Sequence, residues 1–157
     1  KLIYALDHGE VPLSLLESVA TNANPKLKQQ LNQLTKFSNT GIQTNAMINE
    51  SFNTTVYQDI YLQSLKANKS PWGFVQYYFA KLVFIQNFDN TTITNKNDMR
   101  IKLNDIKIQL ANHNYADAYD TVQTIDSTML SANTLTWKQQ LYGRLKAEQL
   151  ITILKTS

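Results

Sequence analysis

Four glycines and three prolines are all that punctuate the 157 residues of this chain. That scarcity constrains the fold more than any motif does. A sandwich or barrel of short strands turns every ~8–12 residues and draws on Gly and Pro to do so, so a chain this poor in both is left with helices joined by a few breaks. The apolar pattern agrees. Residues 2–8 spell a helical turn or two stopped by Gly9, and Pro12 suits the first turn of a second helix with Leu13, Leu16, Val19 and Ala20 at helical spacing. Asn22 to Pro25 is a break, and Pro25 opens a third helix whose face is Leu27, Leu31 and Leu34. After Ser38-Asn39-Thr40-Gly41, Thr44 is placed to cap a longer helix through Ile48, Phe52, Val56 and Ile60 towards Leu65.

Residues 72–88 carry two conflicting signals. Trp72, Val75, Phe79 and Leu82 follow helical spacing, while seven aromatics in seventeen residues raise strand propensity. We expect a helix to about Val83 and an extended stretch from Phe84 to Phe88. A polar loop covers 89–98. Beyond it, Met99, Leu103, Ile106 and Leu110 form one helical stripe, Asn112-His113-Asn114 turns, and Tyr115, Ala118, Tyr119, Val122 and Ile125 form the next. So short a turn makes the two helices an antiparallel hairpin. A last helix over roughly 134–155 begins with Trp137, Leu141 and Leu145. The expected fold is therefore all-α: a bundle of about seven or eight helices in antiparallel hairpins, with an N-terminal helical region at 1–88, a polar loop at 89–96 and a C-terminal bundle at 97–157.

Composition narrows the function classes. Hydrophobic residues at 43% and charged residues at 17% describe a globular chain rather than a disordered one. No apolar run approaches the ~20 residues of a bilayer-spanning helix. Fifteen Lys and Arg against twelve Asp and Glu leave +3, with no basic run and only two arginines, Arg100 and Arg144, so nucleic acid is not an expected partner. With no Cys there are no disulfides, thiolate zinc sites or cysteine nucleophiles. His113 and Asp117 stand at i,i+4, but zinc takes three or four ligands and the other histidine, His8, is far away in sequence. The carboxylate pairs Asp117/Asp120 and Asp7/Glu10 read as solvated helix surface. Ser14, Ser18 and Ser38 lack a nucleophile elbow, and the glycines lie too far apart for a phosphate loop. Neither an enzyme nor a cofactor is expected. The chain begins at Lys1 rather than Met and reads as a fragment or processed product.

Two features stand out. The segment from Trp72 through Lys81 combines aromatics with a lysine, which suits either a core stripe or an amphipathic helix at a membrane interface. The end of the last helix, with Leu150, Ile151, Ile153 and Leu154, is apolar almost all round and needs cover from the bundle itself or from a partner chain.

Four stretches, in order, resemble the C-terminal region of the mitofilin family: residues 5–16 (ALDHGEVPLSLL), 38–44 (SNTGIQT), 108–125 (IQLANHNYADAYDTVQTI) and 137–151 (WKQQLYGRLKAEQLI). The first resembles a helix pair split by Gly, and the second a "GIPT" turn with Gln43 in place of Pro. The third resembles a hairpin whose second helix opens on "A-x-A", here Ala116-Asp117-Ala118. The fourth resembles a final helix opening on Trp, its alanines reduced to Ala147. The resemblance implies a non-enzymatic domain on the periplasmic side of a bacterial inner membrane, preceded by an anchor and a coiled coil, with protein partners or self-association. By position, 44–88 corresponds to a lipid-binding stretch and 97–157 to a bundle that mediates assembly. Lys66 and Lys81 would then meet anionic headgroups, while Trp72, Phe74 and Tyr78 sit at the interface. Similar hairpins occur in membrane-anchored proteins accessory to haem biosynthesis. The surplus apolar face of the last helix gives a second expectation: a helical partner-binding module of an envelope or haem-biosynthesis-associated complex, docking through Leu150, Ile151 and Leu154.

Overall fold

The computed structural model describes residues 1–67, 75–79 and 99–156, and all regular structure among them is helical. The helices are α1 (Leu2–Asp7), α2 (Leu13–Thr21), α3 (Pro25–Thr35), α4 (Asn45–Ser51), α5 (Tyr57–Ala67), α6 (Met99–Ala111), α7 (Tyr115–Gln123) and α8 (Ala132–Thr156). A π-helical turn, Phe52–Val56, joins α4 to α5, and a 3₁₀ turn, Ser127–Met129, precedes α8. Residues 75–79 are also helical. No helix among the described residues is long and apolar enough to cross a membrane.

Local chemistry sets most boundaries. Pro12 stands at the N-cap of α2 and Pro25 at the first position of α3, where Asn24 accepts the backbone N–H of Leu27 at 2.8 Å. The π turn answers a mismatch of period. Ile48, Phe52, Val56 and Ile60 recur every four residues, so on a 3.6-residue helix the stripe would drift by about 40° per step. The wider π turn takes up part of that drift, and all four side chains are buried. The stretch 84–98, expected to be extended and then a polar loop, lies outside the described residues.

The chain forms two units, nested in sequence: Lys1–Ile48 with Gln139–Ser157, and Asn49–Lys138. The expected regions 1–88 and 97–157 each contribute to both units, and the stretch 89–96 lies outside the described residues. Periodicity marks helices but does not report which distant helix completes a core.

In the first unit, Leu2, Leu6, Leu16, Leu31 and Leu34 close on Ala147, Leu150 and Ile151. This corrects the expected partner interface. Leu150 and Ile151 are buried in this core and Leu154 packs against it, so the bundle itself covers the apolar end of α8. The α1 helix ends in a Schellman motif: Gly9 N–H donates to Leu6 O at 3.1 Å and Glu10 N–H to Ala5 O at 2.9 Å. Gly9 (φ +82°) and Gly41 (φ +68°) are then clasped, with Ile42 N–H donating to Gly9 O at 2.9 Å. A Cβ on Gly9 would strike the Ile42 carbonyl, and one on Gly41 would lie 2.8 Å from Gly9 O.

In the second unit, α6 and α7 form the expected antiparallel hairpin, tied by Thr121 Oγ1 donating to Gln109 Oε1 at 3.1 Å and by Lys102 Nζ donating to Thr124 Oγ1 at 3.3 Å. Leu103, Ile106 and Leu110 face inward with Tyr115, Ala118 and Val122. Phe52 packs on Trp137 at 5.2 Å between ring centres and edge-on to Tyr57 at 5.9 Å.

Candidate functional site

Of the five residues expected at a membrane interface, Lys66 and Tyr78 lie among the described residues, whereas Trp72, Phe74 and Lys81 lie outside them. Lys66 is exposed in the last turn of α5, with its Nζ 5.5 Å from the centre of the Tyr77 ring. Tyr77 in turn meets Tyr78 edge-on at 5.5 Å. Val75 and Phe79 stand at i,i+4, one above the other on the helix surface. Val75 is 39% exposed, Tyr78 54% and Phe79 64%. The described part of the aromatic stripe is therefore surface and not core. Tyr4, Leu13, Met47, Ile108 and Leu135 are also exposed, but they are scattered along the chain. Three such residues in five, beside an ammonium, make the densest exposed apolar turn among the described residues. It can place rings and methyls in an apolar medium while Lys66 and the Tyr78 hydroxyl stay with polar groups.

The other sequence candidates fall into structural roles. His113 is exposed at the C-terminal turn of α6, with φ +57°, and its Nδ1 lies 2.8 Å from the Tyr115 hydroxyl. Asn114 N–H donates to Gln109 O at 2.8 Å and His113 N–H to Leu110 O at 3.0 Å, the same Schellman pattern as at Gly9. Asp117 accepts from Asn114, the N-cap residue of α7, and Asp120 and Glu10 are exposed. No group of three or more His, Asp and Glu able to hold a metal occurs among the described residues.

Two polar clusters had no sequence signature. Arg144 is 1% exposed: its Nη1 donates to Leu6 O at 2.9 Å, and its Nη2 pairs with Glu148 and lies 3.6 Å from Asp7 Oδ1. The cation thus sits at the C-terminal carbonyls of α1, where the helix dipole favours it. In the second unit, Asp59 accepts from the hydroxyls of Ser131 and of the fully buried Thr134, the latter at 2.6 Å. Ser131 Oγ also accepts Thr134 N–H at 3.2 Å and caps α8. Both clusters join residues 72 or more positions apart, which no local pattern reveals. The Asp126 carboxyl is held below its ordinary value of 3.8 because it accepts the backbone N–H and then the hydroxyl of Thr128.

No protein-family model, curated protein or solved structure matches this chain.

Proposed function

We propose that this chain is a non-enzymatic membrane-organising domain of mitofilin type, working on the periplasmic face of a bacterial inner membrane through contact with anionic lipid and through protein–protein assembly. The observation that carries this reading is the exposed turn of Val75, Tyr78 and Phe79 beside Lys66. An aromatic face flanked by ammonium is the chemistry of an interfacial anchor. Its strength is modest: each lysine near an anionic surface contributes about 1 kcal/mol, and each side chain fully buried in the acyl boundary about 1.5–3 kcal/mol. Contact of that size is reversible in one copy and becomes lasting when several copies are linked, which ties the lipid contact to assembly. The partner-module reading has lost its docking face, because Leu150 and Ile151 lie in the core.

Co-flotation with vesicles of graded anionic lipid content tests the proposal. Binding is expected to rise with anionic lipid, to fall about fivefold in Lys66→Gln, and to fall further in the Tyr78→Ala/Phe79→Ala pair with the fold intact by circular dichroism. Trp72→Ala and Lys81→Glu extend the test along the same segment. A chain that floats with no composition, or that floats equally well with the pair replaced, overturns it.

A further inference from the structure

The aromatic turn has an inner side, and one residue occupies it. Successive residues of a helix are rotated by about 100°, so Val75, Tyr78 and Phe79 share one face and Tyr77 stands on the opposite one. Exposure follows that wheel. Val75, Gln76, Tyr78 and Phe79 are exposed, whereas Tyr77 is half-buried. What meets it is the end of α5: the Lys66 ammonium lies over the Tyr77 ring, 5.5 Å from its centre.

The contact joins two elements. Lys66 belongs to the last turn of α5, where the helix dipole also favours a cation. Among the described residues Lys66 forms no ion pair, and the face of Tyr77 is the group that holds its ammonium. A ring attracts an ammonium through its quadrupole, and the attraction grows as water is withdrawn from the pair. A turn that rests on a membrane withdraws water from the surface beside it. The contact therefore tightens when the outward face is buried, and by reciprocity the held turn binds more firmly.

We propose that Tyr77 is a positioning residue: its ring holds the Lys66 ammonium, ties residues 75–79 to α5 and so presents Val75, Tyr78 and Phe79 outward. Its purpose rests on the membrane reading, whereas the contact itself is a property of the chain in solution. Lys66 gains a second task beside the attraction of anionic lipid, and the two side chains act as a pair.

Two measurements on the purified chain compare wild type with Tyr77→Phe, Tyr77→Leu, Lys66→Gln and the Lys66→Gln/Tyr77→Leu pair. By NMR in solution, the Lys66 side-chain protons are expected upfield in wild type and Tyr77→Phe, and at ordinary lysine positions in Tyr77→Leu. Lys66→Gln should in turn move the amide resonances of Val75, Tyr78 and Phe79. In co-flotation with phosphatidylcholine vesicles containing phosphatidylglycerol, Tyr77→Leu should bind about threefold more weakly, and Tyr77→Phe should keep the binding. The double variant should bind no more weakly than Lys66→Gln alone, because the ring acts through the ammonium. Unchanged Lys66 protons in Tyr77→Leu, or a full Tyr77→Leu loss in the Lys66→Gln background, overturns the proposal. A wild-type chain that binds no vesicle overturns the membrane reading alone, and the solution shifts then decide what holds the turn.

Discussion

The two units handle polar groups in opposite ways. The first buries a full charge, Arg144, against carboxylates and helix-end carbonyls, and it carries all of the net charge. The second has no net charge and instead sinks a hydroxyl, Thr134, onto the carboxylate of Asp59. Their helix ends differ too. The same Schellman pattern closes on Gly9 in one unit and on His113 in the other, so a left-handed residue costs little in the first and retains strain in the second. The first unit resolves its apolar surplus internally at Leu150 and Ile151, whereas the second leaves Val75, Tyr78 and Phe79 outside. Surplus apolar surface read from sequence is thus informative only when something distant fails to cover it.

The largest expected break is Arg144→Ala, which leaves the Leu6 carbonyl without its donor and empties the space of a buried side chain, and should lower stability by about 3–5 kcal/mol. Arg144→Met loses the same polar contacts but keeps most of the volume, and should recover much of that loss in urea denaturation. Equal losses in both would assign the loss to the hydrogen bond and ion pair rather than to packing. Phe52→Ala is the counterpart in the second unit, at about 3–5 kcal/mol. Both tryptophans fall within 49–138, so fluorescence follows that unit while circular dichroism follows both. Phe52→Ala should therefore shift the fluorescence midpoint, and Arg144→Ala mainly the dichroism midpoint.

Smaller changes sharpen the contrast. A Cβ on Gly143 would meet Ile42 Cγ2 at 2.8 Å and Phe37 Cζ at 2.9 Å, so Gly143→Ala should cost about 1–3 kcal/mol by overpacking. His113→Gly should stabilise by about 1 kcal/mol, because the left-handed position is restored to the residue that accepts it. The gain disappears if the His113–Tyr115 contact outweighs the backbone strain. The smallest effect is a pH response at Asp126. Its folded pKa is depressed, so its stabilisation is complete above 3.8 and is lost as pH falls through the lower folded value. Asp126→Asn should flatten that acid limb of the thermal melt.

The helices were legible because their starts and stops are chemical: Gly9, Pro12, Asn24-Pro25, Thr44 and the Asn112-His113-Asn114 turn act over three or four residues. The hairpin of α6 and α7 was legible because its turn is too short for any other arrangement. What escaped depends on distance along the chain. Nothing near Arg144 announces that Leu6 and Asp7 will meet it, and the same is true of Asp59 with Ser131 and Thr134. The sequence left the cover of Leu150 and Ile151 open between the bundle and a partner chain, because the residues that supply it are more than a hundred positions upstream. At the membrane-facing candidates the sequence pattern left core and surface open, since one stripe at helical spacing serves both. The exposure of Val75 and Phe79 decided it for the residues that are described.

The nested order of the units also sets a timetable. A ribosome delivers residues from the N-terminus at ~5–20 per second. Everything the second unit uses has been made by Lys138, while α1 and α3 still wait for Ala147, Leu150 and Ile151. The bond from Arg144 to Leu6 closes a loop of 138 positions, the kind of non-local contact that folds slowly. During that interval the leucines of α1, α2 and α3 have no lid, and a nascent chain halted before α8 presents them to whatever is near. The last turns of α8 thus complete the first unit: a chain that stops short of them lacks Ala147, Leu150 and Ile151 from its core.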